Sequence, residues 1–107
     1  MTPWRSWLAA RRAKREIELI ARRYCSAAKV FKWWGGPGRH SFCIETITDE
    51  QRDRVLQERS LYQQFSDALL MSGFPSDVVP SIHFRVESRE TLDRDYGGSW
   101  REAMEMP

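Results

Sequence analysis

The sequence predicts an α+β fold in which a long N-terminal helix and a central helix pack on a small β-sheet, followed by a short helical tail. Three observations carry this: apolar residues recurring every three or four positions through the first third of the chain, period-two alternation at 40–47 and 81–87, and capping boxes at Thr48 and Ser99. With 107 residues there is room for one core, so a single domain spanning 1–107 is expected.

The first helix is expected to open at Thr2, a side-chain cap, with Pro3 in the first turn, where its missing N–H costs nothing. Trp7, Ala10, Ala13, Ile17, Ile20, Tyr24, Ala27 and Phe31 would form its buried stripe, and the run Trp33-Trp34-Gly35-Gly36-Pro37-Gly38 would end it. From His40 to Ile47, Phe42 and Ile44 alternate with Cys43 and Glu45, the period of a half-buried strand. Thr48 with Gln51 three residues on starts the central helix, whose stripe is Val55, Tyr62, Phe65 and Leu69, flanked by Leu56, Leu61 and Leu70. Gly73-Phe74-Pro75 stops it. Ser81 to Glu87 alternates again, and the two strands are either parallel neighbours or separated within the sheet. In the tail, Gly97-Gly98 divides two short helices, and Trp100 is expected to fold back onto the core.

No stretch is long and apolar enough for a membrane span, and the first residues lack the apolar core of a secretory signal, so a cytoplasmic location with no membrane partner is expected. Cys25 and Cys43 are then expected to be reduced. These two with His40 and His83 have the residue types of a zinc site but not its spacing, since no C-x-x-C or H-x-x-x-H pair anchors either half; no metal and no cofactor are expected. The chain also lacks a nucleophile elbow and a phosphate-binding loop, so it reads as a non-enzyme.

Charge is divided along the chain. Through His40 there are ten Lys or Arg against two acids; beyond it, seven Arg face thirteen acids. Two candidate surfaces follow. The acids and aromatics of the last 21 positions, Glu87, Glu90, Asp93, Asp95, Tyr96 and Glu102, suit a basic protein partner such as a nuclease domain. The basic end offers the alternative, in which Arg11, Arg12, Arg15, Arg22 and Arg23 meet phosphates while Trp33 and Trp34 stack on bases.

The segment Glu87-Ser-Arg-Glu-Thr-Leu-Asp-Arg-Asp-Tyr-Gly-Gly-Ser-Trp100 resembles a tail motif of the form ESxETxDRxxGGxW found in small bacterial immunity proteins of contact-dependent growth inhibition systems. The resemblance covers 14 residues. It implies a cytoplasmic, non-catalytic protein that binds one cognate toxin domain, one to one, and neutralises it, the toxin often being a nuclease. The alternative is a small nucleic-acid-binding regulator.

Overall fold

At the bulky β-formers Val30, Phe31, Trp33 and Trp34 the chain has already left its first helix, earlier than the helical spacing suggests. A computed structural model describes residues 3–34 and 40–105. In order, the elements are α1 (Pro3–Arg22), β1 (Lys29–Trp34), β2 (His40–Thr46), α2 (Asp49–Leu56), α3 (Leu61–Met71), a 3₁₀ turn (Val79–Ser81), β3 (Ile82–Ser88), α4 (Arg89–Asp95) and α5 (Trp100–Glu105). The class is α+β, as predicted. The cap expected at Thr2 and the turn expected at 35–38 lie outside the described residues.

Two elements differ from the sequence reading. Residues 29–34 form a strand instead of the last turns of α1. Val30, Phe31, Trp33 and Trp34 are strand-favouring residues, and in extended form they gain a full backbone ladder with β2. Two side chains of α1 hold the reversal: Arg22 Nε donates to the Ala28 carbonyl at 3.0 Å, and Glu18 Oε2 accepts the Val30 N–H at 3.1 Å. Phe31, placed by its spacing on the buried helical stripe, instead stands exposed on the sheet.

The expected central helix is two helices, broken at residues 57–60. Val55 and Leu61 are both buried, yet six residues apart on one continuous helix they would point about 120° away from each other. The break re-phases the chain so that both face inward. It is held by Glu58 Oε1, which accepts the Ser60 hydroxyl at 2.8 Å and the Ser60 N–H at 3.2 Å. Tyr62, expected on the main stripe, is 48% exposed, and Leu61 takes the buried place. The capping box at Thr48 forms as predicted, with both reciprocal bonds to Gln51 present.

The sheet order is β1-β2-β3. β1 and β2 are antiparallel, with Val30 opposite Ile44, whereas β2 and β3 are parallel neighbours, with Phe42 beside Phe84 and Ile44 beside Val86. Parallel neighbours need a long crossover, which α2, α3 and the 3₁₀ turn supply. One sheet face, with Val30, Phe42, Ile44 and Val86, packs against Ile17 and Ile20 of α1 and Phe65 and Leu69 of α3. The expectation of a half-buried strand fails for β2: it is the central strand, and Ser41 to Thr46 are all buried, because α4 and α5 cover the second face. Among the described residues, no helix is long and apolar enough to cross a membrane.

Candidate interaction surfaces

The C-terminal corner is an interlocked polar network. Ser88 caps α4 through its Oγ, which accepts the Thr91 N–H at 3.0 Å, and its hydroxyl donates to Asp49 at the start of α2. Thr91 donates to the same carboxylate at 2.5 Å while accepting from Arg52 and Arg94, each at 3.0 Å. Arg52 also pairs with Glu87 at 2.7 Å. Behind it, Glu45 of β2 accepts from Arg89 Nη2 at 2.6 Å and from the Trp100 indole N–H at 2.9 Å. Arg89 Nη1 reaches on to the Gly98 carbonyl at 2.7 Å. Gly98 sits at φ +80°, where a Cβ would also come within 3.0 Å of Asp93, so this turn requires glycine. Trp100 thus folds back as predicted, anchored on a buried carboxylate.

The acidic set read from the sequence is divided by this arrangement. Glu87 is buried and held by Arg52, with Arg85 at 3.9 Å. Asp93 pairs with Arg89 and Asp95 with Arg94, at 3.4 and 3.1 Å. Tyr96 lies under the Arg85 guanidinium, 5.6 Å from its ring centroid, and its hydroxyl accepts from Arg85 at 3.3 Å. Only Glu90 and Glu102 are exposed and, among the described residues, in no ion pair. Most of the tail's acids are therefore tied to arginines, and the motif residues hold the corner together.

Asp49 carries a stability consequence. Hydrogen bonds from Ser88 and then Thr91, opposed by desolvation and reinforced by Arg94 and Arg52, hold its carboxyl well below the usual carboxylate value. The folded state thus binds this proton less readily than the unfolded chain does. The resulting stabilisation is complete above about pH 5 and is lost as the pH falls through 4 toward the depressed folded value. Urea midpoints measured from pH 7 to pH 2.5 are expected to fall in this window, and Asp49→Asn is expected to flatten that slope; an equal slope in the variant would assign the acid sensitivity elsewhere.

The arginines of α1 are arranged differently. Arg22 pairs with Glu18 at 3.0 Å and Arg11 stacks over the Trp7 ring at 5.6 Å. Arg12, Arg15 and Arg23 are exposed, and no acid among the described residues pairs with them. By contrast, of the seven arginines beyond His40, all but exposed Arg59 have carboxylate partners. Among the described residues, the unpaired cations are concentrated on α1. Of the two tryptophans expected beside it, Trp33 is half-buried on the sheet face opposite α1, paired in register with Ser41. Trp34 belongs to β1, and its side chain lies outside the described residues. The structure therefore does not bring Trp33 together with the arginine face.

Between α1 and α3 runs a cleft of about 480 Å³, lined by Arg12, Glu16, Arg23, Gln64, Asp67 and Met71 over a floor of Ile20 and Ala68. Beside it, Leu19 is 53% exposed and Met71 88%, whereas exposed Trp7 points to the far side of α1 from Glu16. No local pattern singles out Gln64, Asp67 or Glu16, because only the packing of α3 on α1 places them in one hollow.

The cysteines and histidines stand apart. Cys25 is buried, its Sγ 3.6 Å from Gln51 Oε1. Cys43 is buried on β2, and that burial, partly offset by Arg85, pushes its thiol up to about 11; at neutral pH it is protonated and unsuited to nucleophilic attack. His83 is exposed on β3. Among the described residues, no group of three or more His, Cys, Asp or Glu is placed to share a metal ion. No protein-family model, curated protein or solved structure matches this chain.

Proposed function

We propose that this chain is a non-catalytic cytoplasmic protein that binds and neutralises one partner protein, as the immunity proteins resembled by its tail do. The observation that carries this reading is the composition of the surface formed by α1 and α3. Exposed Leu19 and Met71 lie among Arg12, Arg15 and Arg23 there, with Glu16 and Asp67 interspersed. Met and Arg are among the types enriched where proteins meet proteins. A track for a phosphate backbone would gain nothing from carboxylates set along it.

The resemblance gains weight from the network at the corner. Ser88, Arg89, Thr91, Asp93, Arg94, Gly98 and Trp100 act on one another or on Glu45 and Asp49, so the motif behaves as one unit of architecture. In this reading the tail supports the fold and the contact surface lies elsewhere.

The test starts at the neighbouring gene, where this reading expects an open reading frame for a secreted toxin, and consists of co-expression with the C-terminal domain of that toxin; no such frame beside the gene would count against the proposal. Restored growth and a one-to-one complex on size exclusion are the expected results; toxicity unrelieved by the intact chain would end the proposal. A second reading, a nucleic-acid-binding regulator, is favoured by the unpaired Arg12, Arg15 and Arg23. Under it, gel shifts with mixed tRNA and DNA weaken steeply with salt, and no shift at low salt would remove it.

A further inference from the structure

Helical geometry sorts the residues of α1 into faces. At about 100° per residue, Ala9, Ala13, Ile17, Ile20 and Ala21 point into the core, and all five are buried. On the side away from them, Trp7, Arg11, Arg15 and Leu19 follow one another at four-residue steps within an arc of about 120°. All four are exposed, and half-buried Leu8 lies in the same arc.

Two cations of this face have no acid. Arg11 lies over the Trp7 ring at 5.6 Å and Arg15 is exposed, and neither has a carboxylate partner among the described residues. The one carboxylate within the arc, Glu18, is engaged inside the chain, with Oε1 on Arg22 at 3.0 Å and Oε2 accepting the Val30 N–H at 3.1 Å. Arg12, Arg23 and Glu16 turn instead toward α3, where they line the cleft. The outer face of α1 thus carries unpaired charge of one sign between apolar side chains.

That composition selects the occupant. A nucleic acid gains affinity by summing many phosphate contacts, whereas here two cations stand between Trp7 and Leu19, and a leucine offers a phosphate nothing. Arg11 also covers one face of the Trp7 ring, which leaves less of it for stacking a base. A protein segment can match the whole face, with carboxylates toward Arg11 and Arg15 and apolar side chains toward Trp7, Leu8 and Leu19.

We propose that the outer face of α1, from Trp7 to Leu19, receives an acidic segment of the partner protein. The proposal rests on the reading of the chain as a protein-binding inhibitor and gives the partner's contact surface its sign. A nuclease holds nucleic acid against a cationic groove, where Arg11 and Arg15 would meet like charge. On such a partner the contact therefore falls outside that groove.

Two measurements test it. In calorimetric titration against the toxin domain that the neighbouring gene is expected to encode, Arg11→Glu/Arg15→Glu should weaken binding about 100-fold or more, as for like charges brought together. Trp7→Ala/Leu19→Ala should weaken it about tenfold or more, as for lost apolar anchors, and Glu90→Lys/Glu102→Lys less than about threefold. Unchanged melting temperatures would exclude misfolding. Independently of any toxin, NMR titration with a helical alanine-based peptide, in which two leucines flank two glutamates at four-residue spacing, should move the Trp7 indole and the Arg11 and Arg15 side-chain signals. The same peptide with lysines for glutamates should not, and Arg11→Glu/Arg15→Glu should abolish the response. A toxin complex indifferent to the arginine reversal places the interface elsewhere and overturns the proposal while the inhibitor reading stands. A short single-stranded RNA that moves these signals more than the glutamate peptide does would overturn it in favour of nucleic acid. A response to the glutamate peptide from a chain that binds no toxin would retain the acid-binding face and remove the inhibitor reading.

Discussion

Replacing Glu45 by alanine is expected to lower the unfolding free energy by about 2–4 kcal/mol, measured by urea denaturation at pH 7. Its side chain is 11% exposed on the central strand and receives both the Arg89 guanidinium and the Trp100 indole. Truncation leaves a cation and an N–H facing an apolar space, and losing one member of such a pair costs more than the pair contributes. Arg89 is itself 39% exposed and can turn toward water, which places the effect in the lower part of that range. Glu90→Ala, at an exposed and unpaired position, is expected within about 0.5 kcal/mol of the parent. Equal effects at the two positions would mean that the tail does not hang on Glu45.

Phe65→Ala is expected to cost about 3–5 kcal/mol. Phe65 is fully buried, with its ring centroid 5.0 Å from that of Phe84 and 6.3 Å from that of Tyr62. It pins α3 to β3 and so sets one wall of the cleft. Phe65→Leu keeps most of the volume and is expected to cost less than about 1.5 kcal/mol, so this pair of variants separates lost packing from lost aromatic contact. A loss below about 1 kcal/mol for the alanine variant would mean that α3 does not depend on this contact.

Much of the fold is legible in local chemistry. The Thr48 cap, the strands near 40–47 and 81–87, the two tail helices and the return of Trp100 each follow from a short pattern whose physics is local. The end of α1 is not legible locally, because Tyr24, Ala27 and Phe31 continue a helical spacing by coincidence, while the ladder that draws residues 29–34 into a strand lies in β2. The break in the central helix leaves no local signal, because it is imposed by the need to bury both Val55 and Leu61. The candidate site was less legible than the fold. The charge division and the arginine face of α1 are visible in the residues, but the pairing of acids with arginines across the C-terminal half is not, and it changes which surface carries an uncompensated field.

The class, the strand periods near 40–47 and 81–87, the Thr48 cap and the segregation of charge can be read from the residues alone, because each shows as a pattern along the chain. Packing across the fold is what makes Glu87 an internal partner of Arg52, buries β2 on both faces, and gathers Glu16, Gln64 and Asp67 in one hollow. Those outcomes depend on residues tens of positions apart meeting across packed elements, where burial and pairing convert ordinary side chains into either scaffold or surface.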